Sequence, residues 1–209
     1  MTNPILQEGH PADLSLSVLP SVLGSRMHHE DTRRFSGDSG RLRSVERLAR
    51  LEVQRVVSLS LEGLQGGKVT DIGTGTGVFA EAYHCAGAWV LGVEPNLGFL
   101  VEARHRVPAV PFVRGIAEAL PLRDKEFDLA FMGTVLHEAD DGPAALKEAC
   151  RVARQRVVVL EFPYLDEDTG PPLAHRLRPE HVAAIAETAG CRTMTRITLR
   201  QMELYIITP

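Results

Sequence analysis

The sequence predicts an α/β fold in which a mostly parallel sheet carries helices on both faces and ends in an antiparallel hairpin. Three observations predict this class. A short predicted strand at 69–72 leads through alternating glycines into a helical pattern. Further apolar runs then alternate with helical patterns, as in a buried parallel sheet with right-handed crossovers. Two alternating segments at 194–199 and 203–208 are separated by a short connection and indicate the hairpin.

The composition favours one globular domain with a large core. The chain has 209 residues, of which 44% are hydrophobic and 24% charged, and its formal net charge is −4. This charge favours neither nucleic acid nor an anionic membrane as a partner. The sequence shows no apolar run near 18 residues and no secretory leader pattern, so we expect a cytoplasmic protein. Cys85, Cys150 and Cys191 are scattered singly, which favours reduced thiols over zinc or a disulfide framework.

Residues 1–43 are predicted to form a partly ordered arm, and residues 44–209 to form the domain. Prolines and glycines interrupt any long element in the arm, and the segment 26–35 is dense in titratable side chains. This segment is either a solvated linker or a flap that closes over a substrate. From Ser44, apolar residues at three-to-five-residue steps predict one helix that ends before Gly63.

The loop behind the first strand is predicted to be a ligand site. Gly73, Gly75 and Gly77 alternate there, and glycine allows positive φ angles that bring backbone N–H groups against a ligand. Asp71 stands at the end of the strand, where its carboxylate can meet a cation. The dinucleotide fingerprint would require a further glycine at Val78, which is absent. The alternative is a loop whose glycines serve only to turn the chain.

The acidic residue Glu94 follows the second predicted strand, 88–93. It stands 21 positions after Gly73, where a carboxylate can accept hydrogen bonds from both hydroxyls of a ribose. Enzymes with different adenosine-containing ligands share such a ribose-binding carboxylate. Glu94 therefore indicates an adenosine group without identifying the ligand that carries it. Alternatively, Glu94 caps the next helix.

The remaining elements alternate regularly. Helices are predicted from the glycine loop to 86 and at 97–106, 143–152 and 179–188, with Asp141, Pro179 and Gly190 as boundary signals. Apolar runs predict strands at 110–114, 127–132 and 156–161. The segment 162–178 is rich in proline, glycine and acids, and is predicted to be a long loop at the ligand edge of the sheet.

The motifs DIGTGTG, GVEP, AEALP, FDLAFMGTVLHEADD and RVVVLEF have the order and spacing typical of class I S-adenosylmethionine-dependent methyltransferases. Residues from about 44 to 209 resemble this family, nearest to its ubiquinone/menaquinone-biosynthesis type. The segments HHEDTRRF and GPPLAHRLRPEHV are similar to a subgroup of small prokaryotic members without an assigned substrate. The resemblance implies a Rossmann-like, seven-stranded fold and in-line methyl transfer from S-adenosylmethionine to a small-molecule acceptor, with S-adenosylhomocysteine as product.

The resemblance also implies the residues of the donor site. Ile116 stands where the family usually has an Asp or Asn that accepts from adenine, so the Ala117 N–H is expected to donate to the ring. The implied cofactor-binding residues are Asp71, Gly73, Thr74, Gly75, Gly77, Glu94, Pro95, Ala117, Glu118 and Gly133.

Two histidines are candidates for a general base. His137 follows the fourth strand, at the edge where ligands of such sheets lie, and His175 lies in the long loop. Either histidine can instead simply satisfy a backbone group. A metal site built from His28, His29, His137 and His175 is not expected, because no pair has the helical i, i+4 spacing.

The acceptor is expected beneath residues 137–138, 161–164 and 170–176, with the arm nearby. His175 and Arg176, held by the adjoining prolines, suit a small polar or anionic acceptor better than a long isoprenoid quinone. Two competing functions remain: an NAD-dependent oxidoreductase, and a non-catalytic regulator that binds an adenosyl ligand. The sequence indicates neither the acceptor atom nor the oligomeric state.

Overall fold

The computed structural model describes Phe35 and residues 37–209. The predicted arm therefore lies largely outside the described residues, and its boundary at residue 43 stays a prediction. A 3₁₀ turn, Ser39–Arg43, precedes six α-helices in the described part. They are α1 (Val45–Leu51), α2 (Val53–Leu61), α3 (Val78–Cys85), α4 (Leu97–Arg106), α5 (Gly142–Val152) and α6 (Pro179–Thr188). Further 3₁₀ turns are Leu136–Glu138 and Leu173–His175.

In the part of the chain that the structure describes, seven strands form one sheet, which confirms the predicted fold class. They are β1 (Lys68–Ile72), β2 (Trp89–Glu94), β3 (Phe112–Arg114), β4 (Phe127–Gly133), β5 (Ala153–Glu161), β6 (Thr193–Thr198) and β7 (Glu203–Thr208). Their order is β3-β2-β1-β4-β5-β7-β6, with β1 to β5 parallel and β7 antiparallel to both neighbours. The chain order reverses between β1 and β4, and ligands of open α/β sheets bind outside the carboxyl ends of strands at such a point.

The sheet is buried on both faces, and the central stretches of β4 (129–132) and β5 (157–160) are apolar at every position. Along β4, Leu129 and Phe131 pack with the core that includes α2, α3 and α4, while Ala130 and Met132 pack with the core that includes α5 and α6. This alternation follows from the two-residue period of a strand. None of the helices in the described part of the chain has the length and hydropathy needed to cross a bilayer.

The single helix predicted from Ser44 is wrong, because the chain breaks at Glu52. This residue has φ 45°, in the left-handed region, and separates α1 from α2. Its carboxylate accepts from the Arg200 backbone N–H at 2.7 Å and from Arg55 at 3.0 Å. A contact with the β6–β7 connection therefore stabilises the break.

Other predicted boundaries shift by one to three residues. β3 begins at Phe112 rather than at 110, since Pro111 has no N–H to donate to a ladder and Val110 N–H donates to Val107 O in a turn. β5 begins at Ala153 rather than 156, beside a register shift in β4. The helices 97–106 and 179–188 are confirmed to the residue.

Candidate active site

The three glycines of the loop between β1 and α3 all have left-handed backbones. Gly73, Gly75 and Gly77 have φ angles of 67°, 56° and 82°, which other residues adopt only with strain. A Cβ on Gly73 would also lie 2.3 Å from Cγ2 of Val135, just beyond β4. The glycines therefore serve both the turn and the close approach of the β4 end.

The amides of this loop donate inward, contrary to the expectation that they face a ligand. Four of them have acceptors in the protein: Gly73 N and Thr74 N on Val93 O, Gly75 N on Glu94 Oε2, and Gly77 N on Thr74 O. A bound phosphate would need such donors for itself. The loop is thus poorly suited to the pyrophosphate of a dinucleotide.

Glu94 connects the glycine loop to the start of α4. Glu94 is only 6% exposed. Its two carboxylate oxygens accept hydrogen bonds from Gly75 N and Asn96 N, both at 2.9 Å. The N-cap of α4 is Asn96, whose side chain accepts from the Gly98 and Phe99 amides. The alternative role of Glu94 as the helix cap is therefore wrong, and ribose binding stays a prediction.

Asp71 lies within β1 and faces the interior of the loop. Asp71 is 2% exposed, and its carboxylate accepts a hydrogen bond from Thr74 Oγ1 at 2.6 Å. Burial raises the pKa of Asp71 to about 7, against the lowering effect of hydrogen bonds from Thr74 and Ala80. The partners of this carboxylate are thus the Thr74 hydroxyl and the Ala80 backbone N–H, and contact with a ligand cation stays a prediction.

The loop 115–121 and the β4 end join the same edge of the sheet. Ile116 is 38% exposed at a tight turn that Ala119 N closes onto Ile116 O. Glu118 Oε1 accepts from Asp140 N at 2.9 Å, which ties this loop to the segment after β4. The other predicted residues here are Pro95, whose carbonyl accepts from Arg114, Ala117 beside Ile116, and Gly133 at the end of β4.

Residues 39–51, here called the N-terminal cover, lie on the glycine loop, and the sequence analysis missed their contacts. Leu42 Cδ1 is 3.3 Å from the position of a Cβ on Gly75. Arg43 donates to Thr76 O at 2.9 Å, and Arg47 donates to Thr134 Oγ1 at 3.3 Å. The signal available in the sequence was the recurrence of arginine at helical spacing, at positions 43, 47 and 50.

Arg47 carries a buried donor at the carboxyl end of β4. Its Nε has no hydrogen-bond partner among the described residues. Burial lowers the pKa of Arg47, while nearby Glu138 acts to raise it. A buried guanidinium with an unpaired N–H favours an anion beside it.

His137 forms a buried pair with Glu161. Its Nδ1 lies 2.7 Å from Glu161 Oε2, and its backbone N–H donates to Oε1 at 3.2 Å. Its Nε2 is 3.8 Å from Glu138 Oε1, too far for a hydrogen bond. Burial disfavours the charged imidazole, yet the Glu161 charge and hydrogen bond, with Glu138, outweigh it and raise the pKa of His137.

The structure brings the two predicted catalytic histidines to one cavity of about 190 Å³. His175 ends the turn Leu173–His175 and is half-buried. The Arg178 guanidinium lies 4.2 Å from the centre of the Tyr164 ring. The cavity walls include His137, Tyr164, Leu173, His175, Arg178 and His181. In the described part of the chain, no group of three or more His, Cys, Asp or Glu is placed to hold a metal, and His28 and His29 lie outside it.

Although Arg176 lines the same cavity, its guanidinium is bound by the long loop, and contact with the acceptor stays a prediction for this residue. It is 4% exposed and holds the long loop (residues 162–178) from within. Its guanidinium donates to the carbonyls of Pro163, Pro171 and Thr169 and pairs with Glu167 at 2.7 Å. The Pro163 carbonyl also accepts from Leu165 N, whereas Arg176 supplies the donors to the Pro171 and Thr169 carbonyls.

The N-terminal cover also contacts the long loop. Arg50 of α1 pairs with Glu167 and donates to Thr169 Oγ1. The guanidinium carbons of Arg50 and Arg176 lie 5.3 and 5.5 Å from the centre of the Phe162 ring, and the His137 ring meets the same ring edge-on at 5.8 Å. Phe162 therefore links the two arginines to the His137–Glu161 pair.

The sheet order, the glycine loop and the acid at the end of β2 define the class I S-adenosylmethionine-dependent methyltransferase fold. A structure with this fold, a SAM-dependent methyltransferase from Aquifex aeolicus, superposes with a TM-score of 0.73 at 22% identity, over 81% of this chain and 95% of that one.

Residues 70–160 match the sequence model of the methyltransferase domain. The demethylmenaquinone methyltransferase of Renibacterium salmoninarum is 33% identical over 111 residues, 52% of this chain and 47% of the relative. The malonyl-[acyl-carrier protein] O-methyltransferase of Serratia marcescens is 35% identical over 112 residues, 52% of this chain and 44% of the relative. The matches thus span about half the length of these relatives, and they confirm the resemblance stated from the motifs.

Proposed function

We propose that this protein transfers a methyl group from S-adenosylmethionine to a small-molecule acceptor. The observation that carries the proposal is a juxtaposition at one edge of the sheet. The glycine loop and Glu94 lie at the ends of β1 and β2, and the buried His137–Glu161 pair lies at the ends of β4 and β5. A donor site and a basic group are thus neighbours at the topological switch point.

The residues present fit this cofactor. The loop amides already have protein acceptors, which suits a ligand without phosphate. We propose that Glu94 holds the ribose, that Ile116 and the Ala117 N–H flank the adenine, and that Gly73 and Gly133 face the methionine part. Arg47 supplies the positive charge for the carboxylate of the methionine part, since the buried Nε of Arg47 has no partner among the described residues.

The cofactor supplies a methyl group already activated on a sulfonium, so the protein contributes mainly proximity and orientation, worth roughly 7–11 kcal/mol. Glu161 holds Nδ1 of His137, and the proton of the acceptor passes to Nε2. A carboxylate on Nδ1 raises the basicity of the ring and selects the tautomer, as in hydrolase triads. His175, across the cavity, positions the acceptor.

The cavity supports a small, polar or anionic acceptor. Its volume of about 190 Å³ is below the range of roughly 300–1,000 Å³ common for drug-sized ligands. Three histidines and Arg178 lie in its wall, whereas a long isoprenoid chain would need an extended apolar surface. We further propose a cytoplasmic protein without a nucleic-acid or membrane partner, consistent with its net charge of −4.

Calorimetric titration with S-adenosylhomocysteine and with NAD tests the donor assignment. We expect S-adenosylhomocysteine to bind and NAD to bind far more weakly, because four amides of the loop already have protein acceptors and are not available to a pyrophosphate. Tighter binding of NAD would replace this proposal with an oxidoreductase. Binding of S-adenosylhomocysteine without methyl transfer to any component of a small-molecule cell extract would favour a non-catalytic regulator.

Substitutions of the histidines test the acceptor assignment with radiolabelled donor. His137→Asn keeps a donor near the position of Nδ1, so Glu161 retains a partner, and His175→Ala removes the second ring. Each variant should keep donor affinity within about threefold, or 0.7 kcal/mol, while methyl transfer falls at least tenfold. His84→Ala, exposed on α3, serves as the control and should change neither quantity. A collapse of donor affinity, or full turnover in both variants, would show that this cavity is not the acceptor site.

A further inference from the structure

Two cysteines far apart in the sequence meet in the fold. Cys150 lies in the last turn of α5 and is 8% exposed, and Cys191 follows α6 and is half-buried. Their Sγ atoms are 3.1 Å apart, although the residues are 41 positions apart. Both cysteines are free thiols, in line with the expectation of reduced thiols, but nothing in the sequence indicates that they are neighbours. A disulfide of about 2.05 Å would need the sulfurs to approach by only about 1 Å.

The two thiols differ in chemical character. Cys191 is the more exposed, and the hydrogen bond from Cys150 lowers its pKa. The same hydrogen bond, together with burial, raises the pKa of Cys150. The ammonium of Lys125 lies beside the end of α5, where it donates to the carbonyls of Cys150 and Ala153. The more exposed, more readily ionised thiol is the one that attacks an oxidant.

We propose that Cys150 and Cys191 form an oxidisable dithiol, a modification site for hydroperoxides that closes to an intramolecular disulfide. The Cys191 thiolate attacks one peroxide oxygen, so that the S–O bond forms, the O–O bond breaks and hydroxide leaves with the proton that Cys191 lost. The Cys150 sulfur then attacks the Cys191 sulfur, the S–O bond breaks, and the hydroxyl leaves as water with the Cys150 proton. One hydrogen peroxide thus oxidises two thiols to one disulfide and is reduced to two waters.

The bridge would tie α5 to the chain segment that leads from α6 into β6. The N-terminal turn of α6 carries His181, which lines the cavity described above, and α5 follows the turn that carries His137. Oxidation therefore restrains the two helices that flank this cavity. The cross-link also limits the unfolded chain, so the oxidised protein should melt at a higher temperature.

The test uses the full chain with Cys85→Ser, which removes the exposed third thiol. After treatment with hydrogen peroxide, we expect both remaining thiols to disappear and the mass to fall by two hydrogen atoms. Tryptic digestion should yield residues 148–151 linked to residues 177–192, because trypsin does not cut between Arg178 and Pro179. The Tm should rise by roughly 5 °C or more, and dithiothreitol should reverse every change.

Two further variants in the same background separate the steps. Cys150→Ser should leave a sulfenic acid on Cys191 that dimedone traps, and Cys191→Ser should leave Cys150 reduced under the same treatment. Persistence of both thiols in the parent would overturn the proposal. It would equally be overturned by a sulfinic acid on Cys191 without the linked peptides, or by a bridge that forms only between two chains.

Discussion

Replacing Glu161 with glutamine isolates the charge that His137 experiences. Glutamine keeps the shape and one acceptor oxygen but cannot supply the carboxylate that lies 2.7 Å from Nδ1. Hydrogen bonds to charged groups contribute roughly 1.5–3 kcal/mol, against about 0.5–1.5 for neutral pairs. The difference, roughly 1–1.5 kcal/mol, corresponds to about one pKa unit at 1.36 kcal/mol per unit. With the charge gone, burial dominates, and the pKa of His137 should fall below its ordinary value of about 6.5.

The pKa of His137 can be measured by NMR on protein labelled in its histidine rings, with His137→Asn to assign the signal. In the wild type the raised pKa means that the pair stabilises the fold fully below about pH 6.5. This contribution is lost as the pH rises through the folded value. In Glu161→Gln the sign of this pH dependence should reverse, because a folded pKa below the unfolded one lowers stability as the pH drops below about 6.5. The acidic limb of a methyl-transfer profile should move to lower pH.

Glu138→Gln is the matched control, because its carboxylate stands 3.8 Å from Nε2 without a hydrogen bond. It should lower the pKa of His137 by clearly less than Glu161→Gln does. Equal shifts in the two variants, or no shift in Glu161→Gln, would refute the reasoning that the Nδ1 contact sets the basicity of this ring.

Three further substitutions test single contacts. Glu94→Gln removes the charge and one of two oxygens that accept backbone amides, so S-adenosylhomocysteine affinity by calorimetry should fall roughly 10- to 150-fold. The exposed control Glu187→Gln should not change it, and an unaltered affinity in both would remove Glu94 from the donor site. Asp71→Asn removes a buried carboxyl whose folded pKa of about 7 favours the protonated form, so the wild type should lose up to about 4 kcal/mol relative to the variant as pH rises from about 4 to 7. Urea unfolding at each pH measures both free energies of unfolding, and a constant difference between wild type and variant over this pH range would contradict the raised pKa of Asp71. Arg176→Met removes a donor from three loop carbonyls, so amide exchange in residues 163–172 should accelerate at least tenfold while the sheet stays protected. Unchanged exchange would mean that other contacts hold the loop.

The elements that the sequence predicted best carry their own boundary signals. The helix 97–106 begins after Asn96, a residue type that caps helices, and the helix 179–188 has Pro179 at its first position and Gly190 beyond its end. The break at Glu52 has no such signal, because neither glycine nor proline marks it. It depends on Arg200, which is 148 positions away, and no local pattern reports such a contact.

The same distinction holds for the site. Glu94 and His137 could be placed near one another from the sequence, because the carboxyl ends of parallel strands meet at one edge of the sheet. The partner of His137 could not, since Glu161 lies 24 positions away on another strand. Whether a loop side chain points inward was equally hidden, as Arg176 shows.

The N-terminal cover touches both the loop proposed to hold the donor and the loop above the acceptor cavity. Leu42, in the 3₁₀ turn, lies against Gly75, while Arg50, in α1, holds Glu167 and Thr169. A ligand that displaces this cover must therefore perturb both loops at once. Thermodynamic linkage then requires reciprocity: whatever factor the first ligand imposes on the affinity for the second, the second imposes on the first. Substitutions at Arg50 should consequently alter the cooperativity between the two ligands, even though this side chain lies in neither loop.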